Sequence, residues 1–422
     1  MRVLYLSHYF YPEGNAPATR VYEMCRRWVA AGHEVTVLTG VPNVPNGVVY
    51  DGYSNALYGR ETVDGIDVVR VWTYLAANKG TVRRILNYLS YMVTAGIVGL
   101  FLRKPDIVIA TSPQFFCGWA GVWVSRIRRA PFILEIRDLW PESIATVGAI
   151  NNPRLLRILE WLELRLYAAA TRIVTVGEGY RDQLLERGVS ADDIDIVPNG
   201  VDRAAFSAGD GASLRRELGL GDAFICSYIG TIGAACGLDV VLRAARILRE
   251  KGRDDVAFVL VGDGAIRERL EATAREEGLT RIVFTGRQDK RKMPDYLAMS
   301  DACLVHLARK DLFRTVLASK IFEAAAMRRP IVLGVEGRAA EVVEGGGAGI
   351  CIEPENEHEL VEAIEKLAAN RQLGEEYGRA GSEKIATQYD YDRLAEQYAV
   401  VASRVALQRH FSSTSRESAE TR

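Results

Sequence analysis

Two doubly wound α/β halves are what this chain of 422 residues predicts, on three observations. Short apolar, β-branched runs alternate with helical patterns along its length, as parallel sheets with crossover helices require. That rhythm lapses once, between about residues 196 and 222, and then restarts. Hydrophobic residues make up 48% and charged residues 25%, a globular balance that excludes a mainly disordered or fibrous chain.

In the first half, strands are expected at 3–7 (VLYLS), 34–39 (EVTVLT), 67–72, 106–111, 132–137 and 172–177. Helical periodicity fills most of the gaps, for example at 18–31 and 155–169. The second half places strands at 224–230 (FICSYIG), 256–262, 281–286, 302–307 and 330–335. Between the halves, Pro198, Asn199 and Gly200 mark a turn. The expected division is 1–195 and 203–385, with a helix near 386–408 packing back on the first half. From 409 to 422 the chain is polar, small and aperiodic, and is expected to be disordered. Two such halves on a short linker set the carboxyl ends of two sheets opposite each other. Ligands of open α/β sheets bind at those ends, so an interdomain cleft is expected.

The net charge of −1 leaves no basic excess of the size nucleic acid demands. Residues 1–190 hold 21 Lys and Arg against 16 Asp and Glu, which suits phosphates or anionic lipid as well as a solvated face. Six scattered cysteines without a CxxC pair read as reduced core thiols of a cytoplasmic protein. The opening apolar run is too short for a signal peptide. Eighteen uncharged residues at 85–102, bounded by Arg83-Arg84 and Arg103-Lys104, just reach the length of a membrane span. Pro105 and a strand follow at once, so a core crossover helix, an interfacial helix and a span all stay open. Arg154, Arg157 and Arg165, interleaved with Leu155, Trp161 and Leu162, form a second basic amphipathic stretch.

Four features carry chemistry. The first strand runs into a loop at 7–17 where Gly14, without a Cβ, lets the backbone approach a ligand; Arg20 follows in the next helix, within reach of an anion. ILEIRDLWPES (133–143) ends a buried strand with Arg137, Asp138, Trp140 and Glu142, charges that are costly there unless used. Asp138 suits a hydroxyl or a proton, and Trp140 a sugar ring; a structural Arg137–Asp138 or Arg137–Glu142 pair is the alternative. In the second half, Gly230, Gly233 and Gly237 lie between strand and helix, where amides and helix dipole suit a diphosphate. That loop holds no Lys or Arg, and its spacing is neither common phosphate fingerprint. Gly262 and Gly264 end another strand. Lys320 and Glu323, after Ser319, are neighbours on one helix face, placing a phosphate-binding cation beside a carboxylate fit for two ribose hydroxyls. A solvated ion pair is the alternative there. Asp193-Ile194-Asp195 and Asp390-Tyr391-Asp392 are read as chance DxD matches, and His8, His33, His306, His358 and His410 lack ligand spacing, so no metal site is expected.

Taken in order, these blocks resemble the retaining GT-B glycosyltransferases of glycosyltransferase family 4, over roughly residues 1–405. The likeness rests on the Gly14 loop, GHEVTVL at 32–38, Arg137-Asp138, VPNGVD at 197–202, IGTIGAACGLD at 229–239, VGDG at 261–264 and SKIFEAAAMRRPIV at 319–332. RDLWPES and SKIFE are further similar to the bacterial branch that builds surface polysaccharides, including N-acetyl-L-fucosamine transferases. The resemblance implies two Rossmann-like domains facing a cleft, a nucleotide sugar as donor, no bound metal and no other cofactor. By position, Glu323 answers to the ribose-binding carboxylate of the family's E-x7-E motif. The segment around Gly286, Arg287 and Gln288 answers to the base site, and the 230–237 loop, with Thr231, Gly262, Gly264, Ser319 and Lys320 beside it, to the diphosphate site. Gly14 and Asp138 would close on donor sugar and acceptor, with Arg20, Trp140 and Glu142 on the acceptor side. Asp138, Arg137, Lys320 and Glu323 form the implied catalytic set.

Three positions depart from the family pattern. Thr315 stands where the first Glu of E-x7-E falls, Thr231 and Cys236 where many members carry loop cations, and Arg137 where a strand-end His is common. The expectation is that Lys320, with Arg137 or Arg314 assisting, replaces the missing loop charges. The expected activity moves a sugar, an N-acetylated amino or deoxy sugar on UDP, to a polyprenyl-diphosphate-linked acceptor at the cytoplasmic face of the inner membrane. A UDP-N-acetylglucosamine 2-epimerase shares the architecture, but its carboxylates and histidines around the sugar are not found here. An idle scaffold of the same fold is favoured by Thr231, Cys236 and Thr315, and opposed by Lys320, Glu323 and Asp138.

Overall fold

β1 (Arg2–Leu6) is apolar at four consecutive buried positions, as a strand covered on both faces must be. It lies inside an eight-stranded sheet with β2 (Glu34–Thr39), β3 (Tyr58–Val63), β4 (Ile66–Val71), β5 (Ile107–Thr111), β6 (Phe132–Ile136), β7 (Arg172–Thr175) and β8 (Ile194–Ile196). The order is β3-β4-β2-β1-β5-β6-β7-β8, parallel throughout except for the β3–β4 hairpin. The computed structural model describes residues 1–44, 46–76, 81–112, 115–138 and 153–420. Within these, the chain divides into two units, Met1–Asn199 with Asp392–Arg422, and Gly200–Tyr391.

The second unit holds six parallel strands, β9 (Phe224–Ile229), β10 (Val256–Val261), β11 (Ile282–Gly286), β12 (Ala302–His306), β13 (Ile331–Gly334) and β14 (Gly349–Cys351). Their order is β11-β10-β9-β12-β13-β14. In each sheet the chain leaves a central strand in one direction and returns on that strand's other side, to β5 beside β1 and to β12 beside β9. Loops after β1, β9 and β12 therefore flank the topological switch points, where open sheets bind ligands. All eleven expected strands are present, so both units are Rossmann-like.

Three strands escaped the sequence reading. β3 alternates exposed and half-buried residues at the sheet edge and is made by a hairpin at Asp64-Gly65, both at positive φ. β8 and β14 are three residues each. Asp195, read as part of a loop, lies in β8 and is paired with Arg172 and Arg404.

The helix Tyr391–Glu420 packs on the first unit: Trp28 Nε1 donates to the Ala395 carbonyl at 2.8 Å, and the Trp28 and Tyr398 rings meet at 5.3 Å. It continues through 409–420, where the sequence led us to expect disorder. Packing of Leu394, Tyr398, Val401 and Val405 forms the helix early, and extending a formed helix costs far less than starting one.

The apolar segment at 85–102 lies in the helix Thr81–Phe101. One face buries Tyr88, Tyr91 and Ala95, and Gly96 and Gly99 bring it against Trp123 and Val124 of the helix Phe115–Arg128. The other face leaves Val82, Leu86, Val93, Ile97 and Phe101 exposed. The core reading thus accounts for half of the helix, which is also long and apolar enough to cross a membrane.

Candidate active site

The 230–237 loop is made by a close approach of main chains. Gly230 directly follows β9 with φ 146° and Gly262 directly follows β10 with φ 135°. A Cβ on Gly262 would stand 1.9 Å from the Gly230 carbonyl oxygen, so the contact requires glycine. Ile232 N–H donates to the Asp263 carbonyl at 3.0 Å, and Ile266 N–H to the Ile232 carbonyl at 3.2 Å. Gly264 sits against Ile232 in the same way. VGDG thus shapes the neighbouring loop, a role that its place in the sequence did not reveal.

Within the loop some donors are used and others are left over. The amides of Gly230, Ile232, Cys236 and Gly237 bond to main-chain carbonyls. Those of Thr231, Gly233, Ala234 and Ala235 donate to no acceptor among the described residues. Clustered unbonded N–H groups leading into a helix, here Asp239–Glu250, make a concavity suited to an anion.

His306 holds this turn from behind. The ring is 1% exposed, its Nδ1 lies 2.7 Å from the Cys236 carbonyl, and its Nε2 accepts the Glu355 N–H at 2.9 Å. Accepting at Nε2 puts the hydrogen on Nδ1, so the ring is neutral, and burial lowers its pKa accordingly. Sequence reading missed this role because it depends on β12 lying beside β9.

Lys320 opens the helix Lys320–Ala326, which follows β12. Its Nζ donates to the Tyr228 hydroxyl at 3.1 Å and lies 4.7 Å from that ring's centroid. The side chain passes directly over Gly230, where a Cβ would come within 2.3 Å of Lys320 Cε. Burial lowers the ammonium's pKa, opposed by Cys236 and Glu323. Burial likewise raises the Glu323 carboxyl, opposed by Lys290 and Lys320. The expected alternative, a solvated Lys320–Glu323 pair, gives way to the Tyr228 contact. Ser319 accepts the Phe322 and Glu323 amides through its carbonyl, at 3.0 and 3.2 Å. Arg287 is exposed near Asp263, whose carboxyl is held low by Arg267, the Gly264 amide and, more weakly, Arg287. Arg314 is exposed and 3.8 Å from Glu336.

In the first unit, Gly14 is exposed with nothing within 4 Å of a Cβ position, so its loop is open. Arg20 is not the acceptor-side cation the sequence suggested. It is 0% exposed, bonding Glu135 at 3.1 Å and the carbonyls of Val197 and Pro198 at 2.7 and 2.5 Å. A cation in a helix's first turn was legible; its burial under β6 and the 197–198 segment was not.

Arg137 is buried at the end of β6, its amide donating to Ser112 Oγ at 2.7 Å, and its charge helps to hold Glu135 ionised. Desolvation raises the neighbouring Asp138 carboxyl against the pull of Arg137, although its side chain keeps an open solvent face. Trp140 and Glu142 lie outside the described residues. Glu13, to which the sequence gave no role, is buried beside Gly14 and accepts the Asn43 and Val44 amides at 2.9 and 3.1 Å.

Two family models match the chain in tandem, a glycosyl transferase 4-like domain over residues 15–200 and glycosyl transferases group 1 over residues 212–384. Twin Rossmann-like units with this pairing define a glycosyltransferase of the GT-B class. The chain belongs to the glycosyl transferase 4-like and group 1 type within that class.

It is 27% identical over 401 residues to a protein of Escherichia coli (strain K12) that carries the name colanic acid biosynthesis glycosyl transferase WcaI, covering 91% of this chain and 97% of that one. Among solved structures, Anabaena HepE in complex with UDP-glucose matches with a TM-score of 0.70 at 18% identity, over 96% of this chain and all of HepE. WaaG, a glycosyltransferase involved in lipopolysaccharide biosynthesis, matches with a TM-score of 0.67 at 15% identity, over 95% of this chain and 99% of its own.

Proposed function

We propose that this glycosyltransferase moves a sugar, with retention, from a UDP-sugar to a hydroxyl of a polyprenyl-diphosphate-linked acceptor in bacterial surface polysaccharide synthesis. The observation that carries the reading is the 230–237 loop, where four unbonded amides and the Lys320 ammonium stand together at a sheet's switch point. The diphosphate lies on those amides, Glu323 takes the ribose hydroxyls, and the segment at Gly286 and Arg287 takes the base. In the transfer, the bond from the sugar's C1 to the phosphate oxygen breaks and a bond to the acceptor oxygen forms on the same face. The acceptor's proton passes to the leaving phosphate. Negative charge grows on that phosphate, and preorganised amides with one cation stabilise it without a bound metal. The loop lacks its own Lys or Arg, so Lys320 supplies that cation, and Asp138 binds on the sugar and acceptor side.

A lipid-linked acceptor asks for contact with a membrane. The exposed row Val82, Leu86, Val93, Ile97 and Phe101, with Trp123 and Ile127 of the adjoining helix, is bordered by exposed Arg83, Arg103, Lys104, Arg126 and Arg129. Apolar side chains edged by cations suit the cytoplasmic face of an anionic bilayer. The WcaI and WaaG names support the polysaccharide setting, and the HepE complex supports UDP. Incubation with bacterial membranes and a panel of UDP-sugars tests the proposal: one donor yields free UDP and an extended lipid-linked product. Absence of both across the panel, with GDP-sugars included, refutes transfer to a lipid-linked acceptor.

A further inference from the structure

Tyr228 is buried at the penultimate position of β9, and its hydroxyl is committed on both sides. The O–H donates to the Thr231 carbonyl at 2.7 Å, and the oxygen accepts from Lys320 Nζ at 3.1 Å. The same ring presents its face to the ammonium at 4.7 Å. Among the described residues, that hydroxyl is the only hydrogen-bond partner of the Lys320 ammonium.

These contacts answer two difficulties of placing a lone lysine at a phosphate site. A lysine stem has four rotatable bonds and loses much rotamer freedom when fixed. A partly buried ammonium also loses hydration, which a phenol oxygen and an aromatic face restore in part. One accepted hydrogen bond fixes the ammonium over Gly230 and leaves its other two N–H donors for an incoming anion. The bond donated to Thr231 fixes the carbonyl at the head of the turn that carries the unbonded amides.

We propose that Tyr228 is a positioning residue for Lys320, holding the ammonium and the amides of the 230–237 loop in one register for the diphosphate. The proposal rests on the assignment of that loop to UDP and deepens it. It also gives Lys320 a fixed place in a loop that has no Lys or Arg of its own.

The test is a double-mutant cycle on the full-length protein, with UDP as the probe in calorimetric titrations. Lys320→Met is expected to weaken UDP by roughly ten- to a hundredfold, the scale of a charge-assisted contact. Tyr228→Phe keeps the ring and its packing, and is expected to weaken UDP by about fivefold or more while lowering the thermal midpoint by no more than a few degrees. In the Lys320→Met background, Tyr228→Phe should cost clearly less UDP affinity than in wild type, because the ammonium it positions is gone and only its hold on the Thr231 carbonyl remains.

Equal losses in both backgrounds, or no loss from Tyr228→Phe alone, would overturn the positioning role while leaving UDP binding intact. A wild-type protein that binds no UDP, or a Lys320→Met variant that binds it undiminished, would overturn the nucleotide assignment itself.

Discussion

Arg20 and Glu13 show how far burial alone decides what a charged residue does. Arg20 bonds Glu135, whose other oxygen accepts Thr111 Oγ1 at 2.7 Å, so removing the guanidinium takes away the buried carboxylate's hydrogen-bonded counter-charge and leaves it only the Arg137 charge. Arg20→Met should lower the unfolding free energy by about 3–5 kcal/mol, read from urea denaturation. A loss under about 1 kcal/mol would mean that the pair contributes little.

Glu13 and His8 make a paired prediction for pH. Burial raises Glu13 from 4.5 to about 7 and lowers His8 from 6.5 to about 3. The folded protein therefore holds an extra proton on Glu13 between pH 4.5 and 7, so that contribution to stability falls as pH rises. It lacks a proton on His8 between pH 3 and 6.5, so that contribution grows as pH rises. From pH 4.5 to 6.5 the two slopes, each about 1.4 kcal/mol per pH unit, oppose each other. Glu13→Gln keeps an acceptor for the Asn43 and Val44 amides and removes one slope. Its stability should then climb with pH more steeply than wild type by about that amount, and parallel curves for the two proteins would refute the assignment.

At the scale of elements, the glycines separate into those that build the loop and those that leave it open. Gly262→Ala forces a Cβ onto the Gly230 carbonyl at a φ that alanine resists, so it should abolish UDP binding and lower the thermal midpoint by several degrees. Gly14→Ala meets open space, and its midpoint should match wild type. If both variants melt alike, main-chain contact between the β9 and β10 loops is not what shapes the site.

Much of this was legible in sequence. Gly-rich segments after apolar runs declare strand–loop–helix units, and Lys320 and Glu323 are local neighbours by helical spacing. Tyr228 and His306 were not legible. Each sits in an apolar strand like any core residue, and each acquires its partner only when β9, β12 and their following segments come together. Arg20 failed for the same reason, since Val197 and Pro198 stand far along the chain.

For the whole molecule, pattern sufficed to give two parallel sheets because buried strands and crossover helices leave strong periodic signals. It failed at the edges, where β3 is polar and alternating and β8 and β14 are very short. It also failed at the C-terminal end, where helix propagates past the apolar positions that start it.

Hydrogen–deuterium exchange with and without UDP addresses the central claim most directly, because it reads the loop amides themselves. UDP should slow exchange at Thr231, Gly233, Ala234 and Ala235 and leave the Arg20 region unchanged. Saturating UDP that protects other segments while these four amides exchange as before would contradict it.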